Sequence, residues 1–134
     1  MTVELKDLRV LVVEDSFQAV ALIRGMLTDF GITQIYTAKD GKEALDFLGT
    51  CDELIDVVMC DWNMPRMSGL EVLRQVRTVD PDMPFLMVTG AADPDSVLAA
   101  KSNGVTAYIA KPFSANVLKK KLNVVARLLS VRRG

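Results

Sequence analysis

Five short apolar segments alternate with five segments of helical spacing along this chain. The apolar segments are rich in Val, Ile or aromatic residues, as strands are, and they are Arg9–Glu14, Gln34–Thr37, Asp56–Cys60, Pro84–Val88 and Thr106–Ile109. The first, third and fourth are apolar enough to be buried on both faces of a parallel sheet. Strand–helix alternation repeated five times predicts an α/β fold: a (βα)5 doubly wound, five-stranded parallel sheet with helices on both faces.

The segments between these strands carry apolar residues three and four positions apart, the spacing of a helix that buries one side. In the first of them the spaced residues are Phe17, Val20, Ala21, Leu27 and Phe30. Ser16 has the residue type of an N-cap and Gly31 that of a C-terminal stop. Similar spacing predicts the remaining helices between Asp40 and Gly49, in "SGLEVLRQVRT", in "DPDSVLAAKSNG" and over Ser114–Leu129.

The chain has 134 residues, half of them apolar, which is the size of one globular domain. It contains no internal repeat, linker or low-complexity stretch. We therefore expect a single domain over residues 1–134, with its core at about 8–129 and no output domain. The apolar runs are too short to cross a bilayer, and the N-terminus lacks the apolar core of a signal peptide. We expect a cytoplasmic protein with no membrane contact.

The sequence offers few types of side chain that could catalyse a reaction or bind a metal. Cys51 and Cys60 do not form a CxxC pair, and the chain has no histidine, so we expect two reduced thiols and neither a disulfide framework nor a zinc site. Chemistry must then depend on carboxylates, lysine, hydroxyls or a metal.

The formal net charge of −1 hides an asymmetry, because the seven basic residues from Lys111 onward have no acidic residue among them. We interpret this as a solvated helix face, with cations near a helix C-terminus where its dipole favours them. The segment has no recognisable nucleic-acid motif, so a nucleic-acid partner is not expected.

Polar side chains follow four of the predicted strands. In a doubly wound sheet, ligands lie beyond the carboxyl ends of the strands. The residues at these ends are Glu14 and Asp15 after the first strand, Asp61 after the third, Thr89 after the fourth, and Tyr108 and Lys111 at the fifth.

Three crowded carboxylates repel one another, and a divalent cation relieves the repulsion. An oxygen-rich set without histidine suits Mg²⁺. Asp61 could then act as a nucleophile on a phosphoryl group and form an acyl phosphate, with Lys111 and Thr89 holding the other oxygens. Gly90 would leave room for that group. Each of these residues alone has a structural explanation, but their coincidence at four strand ends favours the functional one.

Two large apolar side chains lie just after the third predicted strand. Trp62 and Met64 follow Asp61 within three positions. Large apolar side chains beside a strand end are more often packing than chemistry, so we assign both to packing.

The motifs "VVED", "DWNMPRMSGLEVL", "MVTGA" and "AYIAKPF" occur in this order between about Arg9 and Leu129. In this combination the chain resembles the receiver domains of two-component response regulators, and most of all the stand-alone chemotaxis response regulators. The resemblance implies a flavodoxin-like fold with strand order 2-1-3-4-5. It also implies a signalling switch rather than a conventional enzyme, one that catalyses its own phosphoryl transfer and autodephosphorylation.

The resemblance further implies roles for individual residues. Asp61 would be the phospho-acceptor, modified by a histidine kinase, a phosphotransfer protein or a small phosphodonor. Mg²⁺, with Mn²⁺ as a substitute, would be held by Asp15, Asp61 and the backbone carbonyl of Asn63, with Glu14 acting mostly through a bound water. Lys111 would pair with the phosphoryl group.

The implied output begins when Thr89 swings toward the phosphoryl group and the ring of Tyr108 turns inward. The implied output surface is the face of helix 4, strand 5 and helix 5, roughly residues 95–129. A downstream protein would bind there, with a flagellar motor switch component as the target that the resemblance suggests first.

Three positions depart from the family pattern. Glu14 replaces the Asp often found first in the acidic pair, and Ala91 stands where chemotaxis relatives often have Glu. In the family that the chain resembles, the positions of Ala91 and Asn63 tune the rate at which the acyl phosphate hydrolyses, and the resemblance implies the same role here. Pro94 lies in the helix-4 segment, through which Thr89 would signal.

Other functions are open at this point. The same fold could serve as a phosphate-relay intermediate or sink, or as a phosphorylation-independent binding module. A phosphohydrolase of the haloacid-dehalogenase type would need a second Asp where Asn63 stands. A flavin- or nucleotide-binding domain would need a glycine-rich loop after the first strand, where the sequence is instead "EDSFQA".

Overall fold

The computed structural model describes residues 2–50, 55–90 and 93–133. Five parallel strands form one sheet in the order β2-β1-β3-β4-β5, as predicted. The strands are β1 (Arg9–Val13), β2 (Gln34–Ala38), β3 (Val57–Asp61), β4 (Phe85–Thr89) and β5 (Ala107–Ala110). Strands β2 to β5 end one residue later than predicted, and β3 to β5 also start one residue later, whereas β1 ends one residue earlier than predicted. Backbone pairing and not side-chain polarity sets these ends, and Asp61, for example, still pairs with Val88.

Five α-helices connect and follow the strands. They are α1 (Phe17–Asp29), α2 (Gly41–Thr50), α3 (Gly69–Val79), α4 (Pro94–Ser102) and α5 (Ala115–Arg133). The side chain of Ser16 accepts the backbone N–H of Ala19, as expected of an N-cap. Asp93 caps α4 in the same way, and Pro94 is the first residue of that helix, where its missing N–H costs no hydrogen bond. A 3₁₀ turn at Leu5–Asp7 was not predicted.

The sheet has a core on each face, and successive residues of β1 alternate between them. Val10 and Val12 pack with residues of α1 and α5. Leu11 and Val13 pack on the opposite face with residues of α2 and α3. This period of two, with both sets apolar, explains why the sequence of β1 contains no polar position after Arg9.

Helix α4 is weakly anchored to the sheet. Of its nine residues only Ala100 is buried. Since burial of apolar surface supplies most of the free energy that holds a helix to its domain, α4 is poorly fixed compared with α5, which buries five residues.

Two helices differ from their predictions. Phe17, one of the spaced apolar residues of α1, is 87% exposed, and the buried residues of that helix are Ile23 and Leu27. Phe17 is the first residue of the helix, where its side chain extends beyond the core. Helix α5 extends past Leu129 to Arg133, because its last turn makes contacts that apolar spacing does not reveal.

Those contacts centre on Asp56, which lies just before β3 at the sheet end opposite the polar residues described above. Its side chain is fully buried and forms ion pairs with Arg9 and Arg133. The carboxylate accepts hydrogen bonds from the backbone N–H of Arg9 at 2.8 Å, from Arg9 Nε at 3.3 Å and from Arg133 Nη2 at 2.6 Å. Asp56 therefore joins β1, β3 and the end of α5.

Two further observations bear on the sequence predictions. Cys60 is a buried free thiol, whereas Cys51 lies outside the described residues. None of the helices within the described residues is long and apolar enough to cross a membrane.

Candidate functional site

Three acidic side chains meet at the carboxyl ends of the central strands. Glu14 and Asp15 directly follow β1, and Asp61 is the last residue of β3, the strand beside it. One carboxylate oxygen from each of the three lies within 4.8 Å of the others. Glu14 and Asp61 are buried, and Asp15 is exposed. The prediction that these carboxylates converge is confirmed within the described residues.

Lys111 supplies the positive charge of this cluster. Its Nζ lies 2.9 Å from Glu14 Oε1 and 3.3 Å from Asp61 Oδ1. The backbone brings it there, because the Lys111 N–H donates to the carbonyl of Thr89 at 2.7 Å, just past the end of β5. The lysine thus bridges the ends of β1 and β3 from the far side of β4.

The carboxylate of Glu14 has a partner at each oxygen. While Oε1 accepts from Lys111, Oε2 accepts from the backbone N–H of Ser16 at 3.2 Å. The direct Glu14–Lys111 contact was not predicted from the sequence. The family resemblance implied only that Glu14 acts on the metal through a bound water. The extra methylene of Glu over Asp was the available signal, because it lengthens the reach of the side chain toward β5.

The surroundings of the cluster shift the pKa of Asp15 and of Lys111. The pKa of Asp15 is raised, first by a side-chain hydrogen bond with Glu14, then by loss of solvation and by the Glu14 charge. Burial lowers the pKa of Lys111, but its hydrogen bonds and charge interactions with Glu14 and Asp61 outweigh this effect, and the net pKa is raised. Both shifts are those expected of an acidic cluster with one internal cation.

The predicted switch residues flank this cluster. Thr89 is the last residue of β4 and is 1% exposed, and Tyr108 lies half-buried on β5 beside the core of the α2/α3 face. Asn63 is exposed two residues after Asp61. Ala91 lies outside the described residues. Gly90 has open space where a Cβ would stand, as its predicted role requires.

The loop after Asp61 is held closely against the strand end by Gly69, a residue that the sequence analysis did not identify. The N–H of Gly69 donates to the carbonyl of Trp62 at 2.8 Å. A Cβ on Gly69 would collide with the carbonyl oxygen of Asp61 and lie 2.9 Å from Trp62 Cα. Glycine directly after the N-cap Ser68 was the signal, because that helix position does not itself require glycine. Trp62 and Met64 pack against the core, as assigned.

This arrangement fits a hard divalent cation. Carboxylate oxygens are the ligands that such ions prefer, and three of them lie close enough to share one. The cation would offset the repulsion between the three carboxylates. Asp61 combines a nucleophilic oxygen with an adjacent ammonium group, so the cluster can accept and hold a phosphoryl group.

The family model for the response regulator receiver domain matches residues 10–123. The chain therefore belongs to the response regulator receiver domain family, as the sequence motifs indicated.

Within this family, the chain is similar to proteins named for chemotaxis. It is 38% identical over 120 residues to the chemotaxis protein CheY of Pseudomonas aeruginosa, covering 88% of this chain and 95% of that protein. It is 42% identical over 120 residues to a CheY homolog of Campylobacter jejuni, covering 88% and 92%.

Solved structures agree with these relatives. Chemotaxis protein CheY4 of Vibrio cholerae has a TM-score of 0.80 at 34% identity, covering 88% of this chain and 98% of that one. A CheY-like receiver domain protein of Methanospirillum hungatei has a TM-score of 0.85 at 25% identity, covering 95% and 98%. These matches confirm the predicted fold and the predicted class of phosphorylation-dependent signalling protein.

Proposed function

We propose that this protein accepts a phosphoryl group on Asp61 and thereby changes which protein it binds. The observation that carries the proposal is the cluster of Glu14, Asp15 and Asp61 within 4.8 Å of one another, with Lys111 bridging two of them. A structural role alone does not account for three acids crowded around one cation at the ligand-binding end of the sheet.

The proposed cofactor is Mg²⁺, with Mn²⁺ as a substitute. Asp15, Asp61 and the backbone carbonyl of Asn63 would hold it, and Glu14 would act mainly through a water. When bound, the ion supplies positive charge that offsets the charge of the transferring phosphoryl group.

The proposed reaction begins with attack of an Asp61 oxygen on the phosphorus of a donor. With a phosphohistidine donor from a kinase or phosphotransfer protein, a P–O bond forms as the P–N bond breaks. The imidazole nitrogen keeps the electron pair and takes up a proton. Lys111 would hold one phosphoryl oxygen, a role supported by the 3.3 Å distance between its Nζ and Asp61 Oδ1. Autodephosphorylation then returns Asp61 to its free carboxylate by hydrolysis of the new P–O bond.

The proposed output depends on Thr89 and the weakly anchored α4. A phosphoryl group adds about 1.5 to 2 negative charges and new acceptor oxygens. If the Thr89 hydroxyl donates to one of them, β4 and the segment leading to α4 move with it. Because α4 buries a single residue, a second packing of α4 and Tyr108 is close in free energy. The partner surface is the α4–β5–α5 face, roughly residues 95–129.

The names of the relatives support a role in chemotaxis or motility control. A histidine kinase would then act upstream, and a component of the flagellar motor switch is the proposed target. A phosphate-relay intermediate or sink uses the same Asp61 chemistry and differs only in where the phosphoryl group goes next.

The test is intact mass after incubation with acetyl phosphate and Mg²⁺, with and without chelator. We expect a gain of about 80 Da, one phosphoryl group, that requires both metal and Asp61. Asp61→Asn should show no gain. Asp46→Asn, which changes an exposed aspartate on α2, is the matched control and should be phosphorylated like the wild type.

A gain that persists in Asp61→Asn would refute the assigned acceptor. If the wild type shows no gain, beryllofluoride should be added and the fluorescence of Trp62, the only tryptophan, recorded. No response in either measurement would favour a phosphorylation-independent binding module.

A further inference from the structure

The C-terminal end of α4 is closed by a complete cap. The second residue after the helix, Gly104, has a φ of +82°. Its N–H donates to the carbonyl of Lys101 at 3.1 Å, and the N–H of Val105 donates to the carbonyl of Ala100 at 3.1 Å. This pair of hydrogen bonds around a left-handed glycine is a Schellman motif, which satisfies carbonyls of the last helical turn.

An arginine of α3 binds this cap. Arg77 Nε and Nη2 both donate to the carbonyl oxygen of Gly104, at 3.0 and 2.8 Å, and Nη1 donates to the carbonyl of Asp80 at 3.2 Å. A Cβ on Gly104 would lie 3.2 Å from Arg77 Nε. Burial lowers the pKa of Arg77, although the charges of Asp80 and Asp82 oppose this shift. The guanidinium is therefore partly desolvated, and the two carbonyls replace its water.

The residues between this cap and β5 are also bound to the sheet. The N–H of Thr106 donates to the carbonyl of Phe85 at 3.0 Å, and Thr106 Oγ1 accepts from the N–H of Phe85 at 2.9 Å. Phe85 is the fully buried first residue of β4. Arg74 Nε donates to Asn103 Oδ1 at 3.3 Å. Residues 103–106 are thus bound to both α3 and β4.

The N-terminal end of α4 has a cap that is internal to the helix. Asp93 Oδ1 accepts from the N–H of Ser96 at 2.8 Å, and Asp93 Oδ2 accepts from its hydroxyl at 2.9 Å. Because both bonds stay within the first turn, the cap can move together with the helix. Leu98, in the same half of α4, is 62% exposed. This is also the end of α4 that the chain connects to Thr89.

We propose that Arg77 is a positioning residue that fixes the C-terminal end of α4, so that phosphorylation moves the N-terminal end of the helix about Gly104. The inference rests on the proposed function, which supplies the second packing of α4. The part of the partner surface that depends on phosphorylation is then residues 94–98, whereas residues 101–106 keep their place. Arg77→Lys would retain the positive charge but not the planar pair of donors, so it tests the contact and not the charge.

The experiment measures backbone amide hydrogen exchange of the full chain by NMR, in chelator and again with Mg²⁺ and beryllofluoride. The amides of Gly104 and Val105 report on the C-terminal cap. The amide of Val97, which donates to the carbonyl of Asp93 at 3.1 Å, reports on the N-terminal end. The amide of Val58, which donates to the carbonyl of Pro84 at 2.9 Å within the core, reports on the stability of the whole fold.

Arg133→Lys is the matched control for Arg77→Lys. It makes the same chemical change at an arginine that is 35% exposed and hydrogen-bonded to Asp56. That arginine holds the end of α5 and not the end of α4. Its substitution should speed exchange at Val58, by lowering the stability of the fold, without acting on the α4 cap.

In chelator we expect Arg77→Lys to speed exchange at Gly104 and Val105 by about fivefold, the effect of about one lost hydrogen bond. Arg133→Lys should leave both amides within about twofold of the wild type. In the wild type, beryllofluoride should change exchange at Val97 and leave Gly104 and Val105 within about twofold. In Arg77→Lys it should change exchange at both ends of α4.

Two results would overturn the positioning role. An equal response of Val97 and Val105 to beryllofluoride in the wild type, a comparison that needs no variant, would mean that α4 has no fixed end. Equal acceleration at Gly104 in Arg77→Lys and Arg133→Lys would mean that Arg77 contributes stability alone. A wild type that neither gains 80 Da nor responds to beryllofluoride would refute the proposed function, whereas the comparison in chelator tests the Arg77 contact by itself.

Discussion

Replacing Asp56 by alanine should be among the most destabilising single changes in this protein. The side chain is fully buried, and its loss leaves Arg9 and Arg133 without their shared carboxylate. It also leaves the backbone N–H of Arg9 without its 2.8 Å acceptor. Removing one partner of a buried ion pair costs about 3–5 kcal/mol. The two arginine side chains are 28% and 35% exposed and can be rehydrated in part, so the lower value, about 3 kcal/mol, is expected.

The measurement is urea unfolding followed by Trp62 fluorescence and circular dichroism. A loss of about 3 kcal/mol corresponds to a fall in Tm of about 10 °C for a chain of this size. Arg133→Ala should cost less, about 1 kcal/mol, because Asp56 keeps Arg9. Asp46→Ala is the control: it removes an exposed i,i+4 pair with Lys42, and should change stability by less than about 0.5 kcal/mol.

The reasoning fails if Asp56→Ala is no less stable than Asp46→Ala. It also fails if Asp56→Ala and Arg133→Ala are additive in a double-mutant cycle, since two groups in direct contact should show a coupling free energy.

Three further predictions concern single positions. Gly69→Ala should destabilise the fold by about 1–3 kcal/mol and weaken Mg²⁺ binding, since the new Cβ meets backbone at the strand end. Gly25→Ala, with open space inside α1, should instead stabilise the fold by about 0.5–1 kcal/mol. Equal effects of the two substitutions on urea unfolding would contradict this contrast. In a Cys51→Ser background, the thiol of Cys60 should not react with a disulfide reagent until the protein unfolds, because burial and then the nearby carboxylates raise its pKa; rapid labelling of folded protein would disprove it. The pKa of Asp93 is lowered by hydrogen bonds from the first turn of α4, so this cap stabilises the fold above pH 3.8 and is lost as the pH falls through the lower folded value; a carboxyl titration by NMR with a midpoint at or above 3.8 would be inconsistent with it.

The sheet and the acidic cluster were predictable because they depend on local sequence. Strand-length apolar runs identify the strands, and a parallel sheet puts all their carboxyl ends at one edge. Glu14, Asp15, Asp61 and Lys111 could therefore be grouped without coordinates. That all 134 residues form one domain without an output domain stays a prediction, as do the individual roles of the site residues.

Pairing between distant residues was not predictable. The sequence placed Asp56 at the start of a strand, but nothing local shows that Arg133 returns to it from the end of α5. Likewise, the sequence does not show that Lys111 Nζ lies closer to Glu14 Oε1 (2.9 Å) than to Asp61 Oδ1 (3.3 Å). The exposed position of Phe17 depends on where α1 begins relative to the sheet. These features are set by tertiary geometry, which spacing along the chain does not determine.

The sheet order also governs how the chain must fold. Strand β1 precedes both of its neighbours in the chain: Arg9 pairs with Gln34, and Val10 with Val57. Because both pairings are parallel, neither can form through a hairpin. The backbone groups along one edge of β1 therefore stay unpaired until β3 has also formed. Such non-local pairing slows folding and exposes strand edges meanwhile. The strand that leads into Glu14 and Asp15 is thus exposed to aggregation while the protein is being made.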